Sequence, residues 1–137
     1  MKDRYIVEGK CVETLKMPWG TFQWMNTPAV TGSDRLTFGT GLLKPGQGHA
    51  RHCHEGMEEV LYFLEGEAEQ VVELPDGTEE RRMIGPNTMV HLPADTYHST
   101  MNTGTADVRF IAIYEHTGPE TDMRADKDCV IIPPETD

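Results

Sequence analysis

Short stretches of alternating or continuous apolar residues recur along the chain, each closed by a turn signal, and together they predict a series of strands. Residues 19–25 (Trp-Gly-Thr-Phe-Gln-Trp-Met) are aromatic-rich and fit a first strand, interrupted by Asn26-Thr27-Pro28. After a turn at 31–34, residues 35–43 give a partly alternating strand, which Lys44-Pro45-Gly46 closes. A strand carrying His52 and His54 follows, then an apolar one over 60–64. Residues 67–74 and 78–83 flank Pro75-Asp76-Gly77, a hairpin signal in this setting. Further strands are predicted at 88–92, 97–102 and 108–114. Residues 115–128 read as a polar tail around Gly118-Pro119, and 130–132 as a short terminal strand. No stretch longer than ten residues holds a helical period, so the expectation is one all-β domain, a sandwich or a closed barrel.

A length of 137 residues suits a single domain with its own core. Its core is expected over about 19–114, with an arm at 1–18, packed on the barrel or paired with a neighbouring subunit, and a tail at 115–137. Composition narrows the function classes. Apolar residues make up 37% of the chain, and no run approaches the ~20 residues that span a bilayer. The first residues lack the apolar core of a signal peptide. Cys11, Cys53 and Cys129 are too irregularly spaced for a disulfide framework, which makes a reducing, cytoplasmic setting the expectation. A net charge of −11 argues against nucleic acid, because phosphate binding needs clustered Lys and Arg. The acidic excess serves solubility, with some carboxylates free to attract a cation.

The candidate chemistry lies in residues 46–66. His52 and His54 fall on one face of an extended strand, roughly 7 Å apart by a rise of ~3.3 Å per residue. A carboxylate follows after a short polar turn, and a fourth donor appears downstream at His98. Neutral imidazole and carboxylate are the donors that divalent Zn, Fe, Mn, Co, Ni or Cu take in mixed N/O sets. Glu58 and Glu59 are rival carboxylates, and periodicity does not choose between them, because both alternations of the next strand are apolar.

The spacing resembles that of the cupin superfamily. Its first motif is a glycine, five residues, HxH, three or four residues, glutamate, six residues and glycine, and Gly46, His52, His54, Glu59 and Gly66 match it. Pro93, His98 and Asn102 match the second motif. Asn87 and Asp95 stand where that motif has glycine, and both residue types tolerate left-handed backbone. The resemblance implies an antiparallel jelly-roll β-barrel with a divalent transition metal inside, held by His52, His54, Glu59 and His98. The six-residue spacing to Gly66 favours Glu59 over Glu58 through the family pattern alone.

Other residues are weighed by alternation. Cys53, between two inward histidines, is expected to face the other side of its strand. His49 and His91 are expected at turns or on strand surfaces, and His116 has no assigned role. Leu61 and Phe63 follow an inward Glu59, and Thr100 and Asn102 follow an inward His98, with Asn102 reading as a turn residue. Trp24, Arg35, Phe38 and Tyr97 are candidates to close the mouth. Phe63, Thr100 and Tyr97 are the expected substrate contacts.

Three histidines and a glutamate leave coordination positions open for water or substrate. The leading expectation is therefore a metal-dependent enzyme acting on a small oxygen-bearing molecule, as a dioxygenase, an isomerase or a decarboxylase/lyase. An isomerase needs a further acid or base near the ion, and the sequence offers only Glu58, Tyr97 or metal-bound hydroxide. The alternatives are a metal-bearing binding or sensory module without turnover and a purely structural metal. Assembly as a homodimer is expected, with the terminal segments as candidate contacts.

Overall fold

The computed structural model describes residues 4–135. The ends of the expected arm and tail, residues 1–3 and 136–137, lie outside the described residues. Two antiparallel sheets face each other. The larger has seven strands in the order β11 (Val130–Ile132), β1 (Thr14–Met17), β2 (Gly20–Asn26), β3 (Thr37–Leu43), β10 (Val108–Tyr114), β5 (Glu59–Glu65) and β8 (Thr88–Leu92). The smaller has β4 (Gly48–His52), β9 (His98–Met101), β6 (Ala68–Glu73) and β7 (Glu79–Ile84). This is the all-β fold expected from the strand pattern and the jelly-roll that the resemblance implied. Its two layers are hydrogen-bonded separately and do not join into one continuous barrel.

Alternation builds the core. In β2 and β10 every second residue is buried, so Phe22, Trp24, Val108, Phe110, Ala112 and Tyr114 all face the smaller sheet. In β5 the same period turns Glu59, Leu61 and Phe63 inward. Burial of the aromatic and aliphatic side chains drives the two layers together. Glu59 enters this apolar layer as a buried carboxylate, only 3% exposed.

The turns that frame the site are locally encoded. Asn87 and Asp95 have φ of 61° and 65°, the left-handed conformation that glycine adopts most easily. Asp95 has a second task, since its Oδ1 accepts from the Gly56 N–H at 2.8 Å. That bond ties the β8–β9 turn to the loop that carries His54. Asn102 is fully buried and serves as an anchor, its Nδ2 donating to the carbonyls of Leu43 (2.9 Å) and Ala106 (2.8 Å).

Two segments depart from the expectation. Residues 14–17 of the arm form β1, which lies between β2 and β11 in the larger sheet and buries Leu15. The polar tail contains a helix, α1 (Pro119–Ala125), with proline in its first turn, Glu120 and Asp122 near its N-terminus and Arg124 in its last turn. Seven residues are too few for a helical period to stand out, and the helix is held by contacts distant in sequence. Arg124 Nε donates to Glu13 Oε1 at 2.9 Å, and Met123 packs against the core.

Candidate metal centre

The two sheets open at one end onto a cluster of imidazoles. His52, the last residue of β4, lies directly opposite His98, the first of β9, with ring centroids 4.3 Å apart. His54 is not on the strand, which ends at His52. It reaches the same point from the following loop, its ring 5.1 Å from that of His52 and 5.9 Å from that of His98. One donor atom from each of the three lies within 4.8 Å of the others. Glu59, from the facing sheet, brings Oε1 to 3.3 Å from His98 Nε2 and 3.5 Å from His54 Nε2. Glu58 points away and pairs with His91 on the exposed surface.

The ring orientations are set from behind. Nδ1 of His52 lies 2.7 Å from the Ala50 carbonyl, and Nδ1 of His98 lies 2.9 Å from the Thr96 carbonyl. A carbonyl only accepts, so each Nδ1 carries a proton, and the neutral ring then presents its Nε2 lone pair. His54 Nε2 and Glu59 Oε1 are buried with no hydrogen-bond partner. Unpaired buried acceptors are costly, and a divalent cation is the partner this donor set fits. The chain thus carries a three-histidine cluster able to hold a metal ion, with a carboxylate beside it.

Electrostatics keep the donors in their binding forms. Desolvation lowers the pKa of His52 and His54, so both are neutral at pH 7. Burial works to raise Glu59, but the His98 side chain, the Tyr114 hydroxyl and the charge that His54 carries once protonated together hold it below the ordinary carboxylate value. Burial and the Glu59 charge push the Tyr114 hydroxyl well above its usual range, so it stays protonated.

Two residues that sequence reasoning missed complete the wall. His49 lies three positions before His52, and strict alternation sends it outward. The register slips between them, from His49 opposite Thr100 to His52 opposite His98, so two residues of β4 face one of β9. This bulge turns His49 inward as well. Its Nε2 is buried without a partner, and burial, helped by the neighbouring His52, lowers its pKa to about 4. Tyr114 ends β10 beside Glu59, its ring edge-on to His54 at 5.1 Å. The alternation of β10 contained that signal, since Tyr114 shares a face with Phe110 and Ala112.

The other candidates divide. Phe63 and Thr100 line a small inner cavity of about 10 Å³, about what one water needs. Thr100 donates to Gln70 Oε1 at 2.6 Å. Tyr97 does not reach the site. It neighbours the inward His98, so alternation sends it outward, where Arg51 stacks on its ring at 3.8 Å with Cys53 close by. Trp24 lines the mouth, whereas Arg35 and Phe38 line neither cavity. The mouth is an open cavity of about 390 Å³, walled by Trp19, Trp24, His49 and Tyr114 and overlaid by Asp122 and Met123 of α1. Larger grooves of about 530 and 600 Å³ lie away from the imidazoles.

A jelly-roll with inward histidines at the open end of two sheets defines a recognisable class of β protein. The cupin-domain family model matches residues 39–114, and the chain belongs to the cupin family. It is 33% identical over 88 residues to a glucose-6-phosphate isomerase of Thermococcus kodakarensis, covering 58% of this chain and 46% of that one. The chain therefore spans about half the length of the curated relatives it first matches. Among solved structures, an RmlC-like cupin from Shewanella frigidimarina superposes with a TM-score of 0.71 at 15% identity, over 86% of this chain and 96% of that one. The Mn(II)-containing oxalate decarboxylase of Bacillus subtilis superposes at 0.69 and 18% identity, over 87% and 33%. These two are likenesses of fold. No helix among the described residues is long and apolar enough to cross a membrane.

Proposed function

We propose that this chain is a metal-dependent cupin enzyme acting on a small oxygen-bearing molecule. His52, His54, Glu59 and His98 would hold one divalent transition metal ion. The observation that carries the reading is the convergence of two unpartnered donor atoms, His54 Nε2 and Glu59 Oε1, with the His52 and His98 imidazoles where the open mouth meets the inner cavity. Bound there, a divalent ion supplies Lewis-acid polarisation of a substrate oxygen, activation of water, or O₂ chemistry if it is redox-active.

Within that class, isomerisation of a small carbonyl compound is favoured over oxygenation and decarboxylation. The isomerase relative supports it, and so does the content of the wall. Isomerisation needs a group that moves a proton beside the ion, and His49 Nε2 and the Tyr114 hydroxyl both stand there. The inward Phe63 and Leu61 keep the floor dry. Cys53 and Cys129 form no disulfide, which fits a reducing, cytoplasmic setting.

Elemental analysis of protein purified without chelator or nickel resin tests the metal. One divalent ion per chain is expected, and His52→Ala should stay folded while losing both ion and turnover. No ion at stoichiometric level in the unaltered protein overturns the reading.

A further inference from the structure

The walls of the mouth carry a charge pattern that constrains what enters. Among the described residues lining the mouth and the inner cavity there is no Lys or Arg. Asp122 and Asp126 lie on the rim, and the negative charge of Asp122 is felt at His54. Two arginines of the neighbouring segments are paired elsewhere. Arg124 is paired with Glu13 on the far side of α1, and Arg51 with Glu73 on the outer face of the smaller sheet. A phosphate or carboxylate entering the mouth would lose its hydration and pass the rim carboxylates with no Lys or Arg among the lining residues to pair with it.

The same walls are suited to an uncharged molecule. Trp19, Trp24, Tyr114 and Met123 offer apolar and aromatic faces. His49 lines both the mouth and the inner cavity beside the imidazole cluster, and its Nε2 is buried without a partner. Trp19 braces the His49 ring edge-on at 4.4 Å, which fixes where that nitrogen points. A buried polar atom without a partner in a concave site is matched by a ligand hydroxyl or carbonyl.

We infer that the mouth binds an uncharged, oxygen-bearing molecule, positioned by a hydrogen bond to His49 Nε2 with its apolar face on the tryptophans, and that phosphorylated or carboxylated analogues are excluded by Asp122 and Asp126. This rests on the proposed function for the location of the reacting centre, and it departs from the phosphorylated substrate that the isomerase relative's name implies. His49 thus contacts the ligand directly, in addition to the proton-moving role proposed for it above.

The test uses two probe pairs that differ in charge, D-fructose with D-fructose 6-phosphate, and catechol with 3,4-dihydroxybenzoate. Binding is followed by calorimetry and by tryptophan fluorescence, with and without added Mn(II). In each pair the neutral member should bind at least about tenfold more tightly. Asp122→Lys should narrow or reverse that ratio. His49→Ala should weaken the neutral members by about tenfold while His49→Gln, which keeps a polar side chain of similar reach, restores part of the loss. Equal or tighter binding of the anionic members, no effect of His49→Ala, or no binding of either neutral probe at millimolar concentration overturns the inference. Mn(II) uptake is read separately from the resonance of the free ion. Its loss counts against the proposed metal centre, whereas the charge preference is read on the metal-free protein too.

Discussion

Glu58 and Glu59 show how one position decides a role. They are adjacent and chemically alike, yet one is exposed and paired with His91 while the other is 3% exposed beside two imidazoles. Glu59→Gln keeps the shape and removes the charge, so it should weaken divalent-metal binding by about a hundredfold or more, whereas Glu58→Gln should leave it within about twofold. Metal titration of the two variants decides between them. The imidazoles give a second prediction at this scale. The folded-state pKa values of His49, His52 and His54 lie below the unfolded value of 6.5, for His49 at about 4. In that window the unfolded chain binds more protons than the folded one, so stability falls as pH falls. The metal-free protein should therefore lose stability between about pH 6.5 and pH 4, by on the order of 3 kcal/mol or less from His49. Added metal should steepen the loss, because only neutral imidazoles bind it. Urea unfolding across that range checks the sign. Unchanged stability would show that these imidazoles are solvated.

At the scale of the element, the pairing of β4 with β9 carries the site, because it sets His52 against His98. Its other end is unusually close. A Cβ at Gly48 would stand 2.1 Å from the Thr100 carbonyl oxygen and 2.7 Å from Met101 Sδ, and the carbonyl belongs to backbone that cannot give way without moving β9. Gly48→Ala is thus expected to cost about 2 kcal/mol and to reduce metal affinity by about tenfold or more, although residue 48 touches no donor. Chemical denaturation and a metal titration measure the two effects. The strands and hairpin were legible because alternation and turn residues are local signals, as at Phe22 and Trp24 or Pro75-Asp76-Gly77. The bulge after His49 was not. It is a mismatch between two strands, β4 and β9, that lie far apart in the chain, and no count along β4 alone reveals it. Helix α1 escaped for a related reason, since its apolar support comes from Met123 meeting a core assembled elsewhere.

For the molecule as a whole, the exposed edge is the open question that packing raises. Strand β11 ends the larger sheet with Val130, Ile131 and Ile132 at 58%, 38% and 43% exposure. A free edge of β-branched residues invites another strand. We therefore propose a homodimer that covers this edge, and light scattering at micromolar concentration should return twice the chain mass. Val130→Lys together with Ile132→Lys should return the monomer mass with the far-ultraviolet spectrum unchanged. A monomeric mass for the unaltered protein would refute the assembly.

The sequence by itself determined the all-β class, the spacing of His52, His54, Glu59 and His98, and the left-handed turns at Asn87 and Asp95, because all of these depend on residue type and short-range geometry. Only the tertiary structure decided which carboxylate faces the imidazoles, that His49 turns inward while Tyr97 stays outside, and that a helix from the tail roofs the mouth. Those outcomes depend on where two sheets and a distant segment meet, and such meetings are set by burial across the whole chain rather than by any one stretch of it.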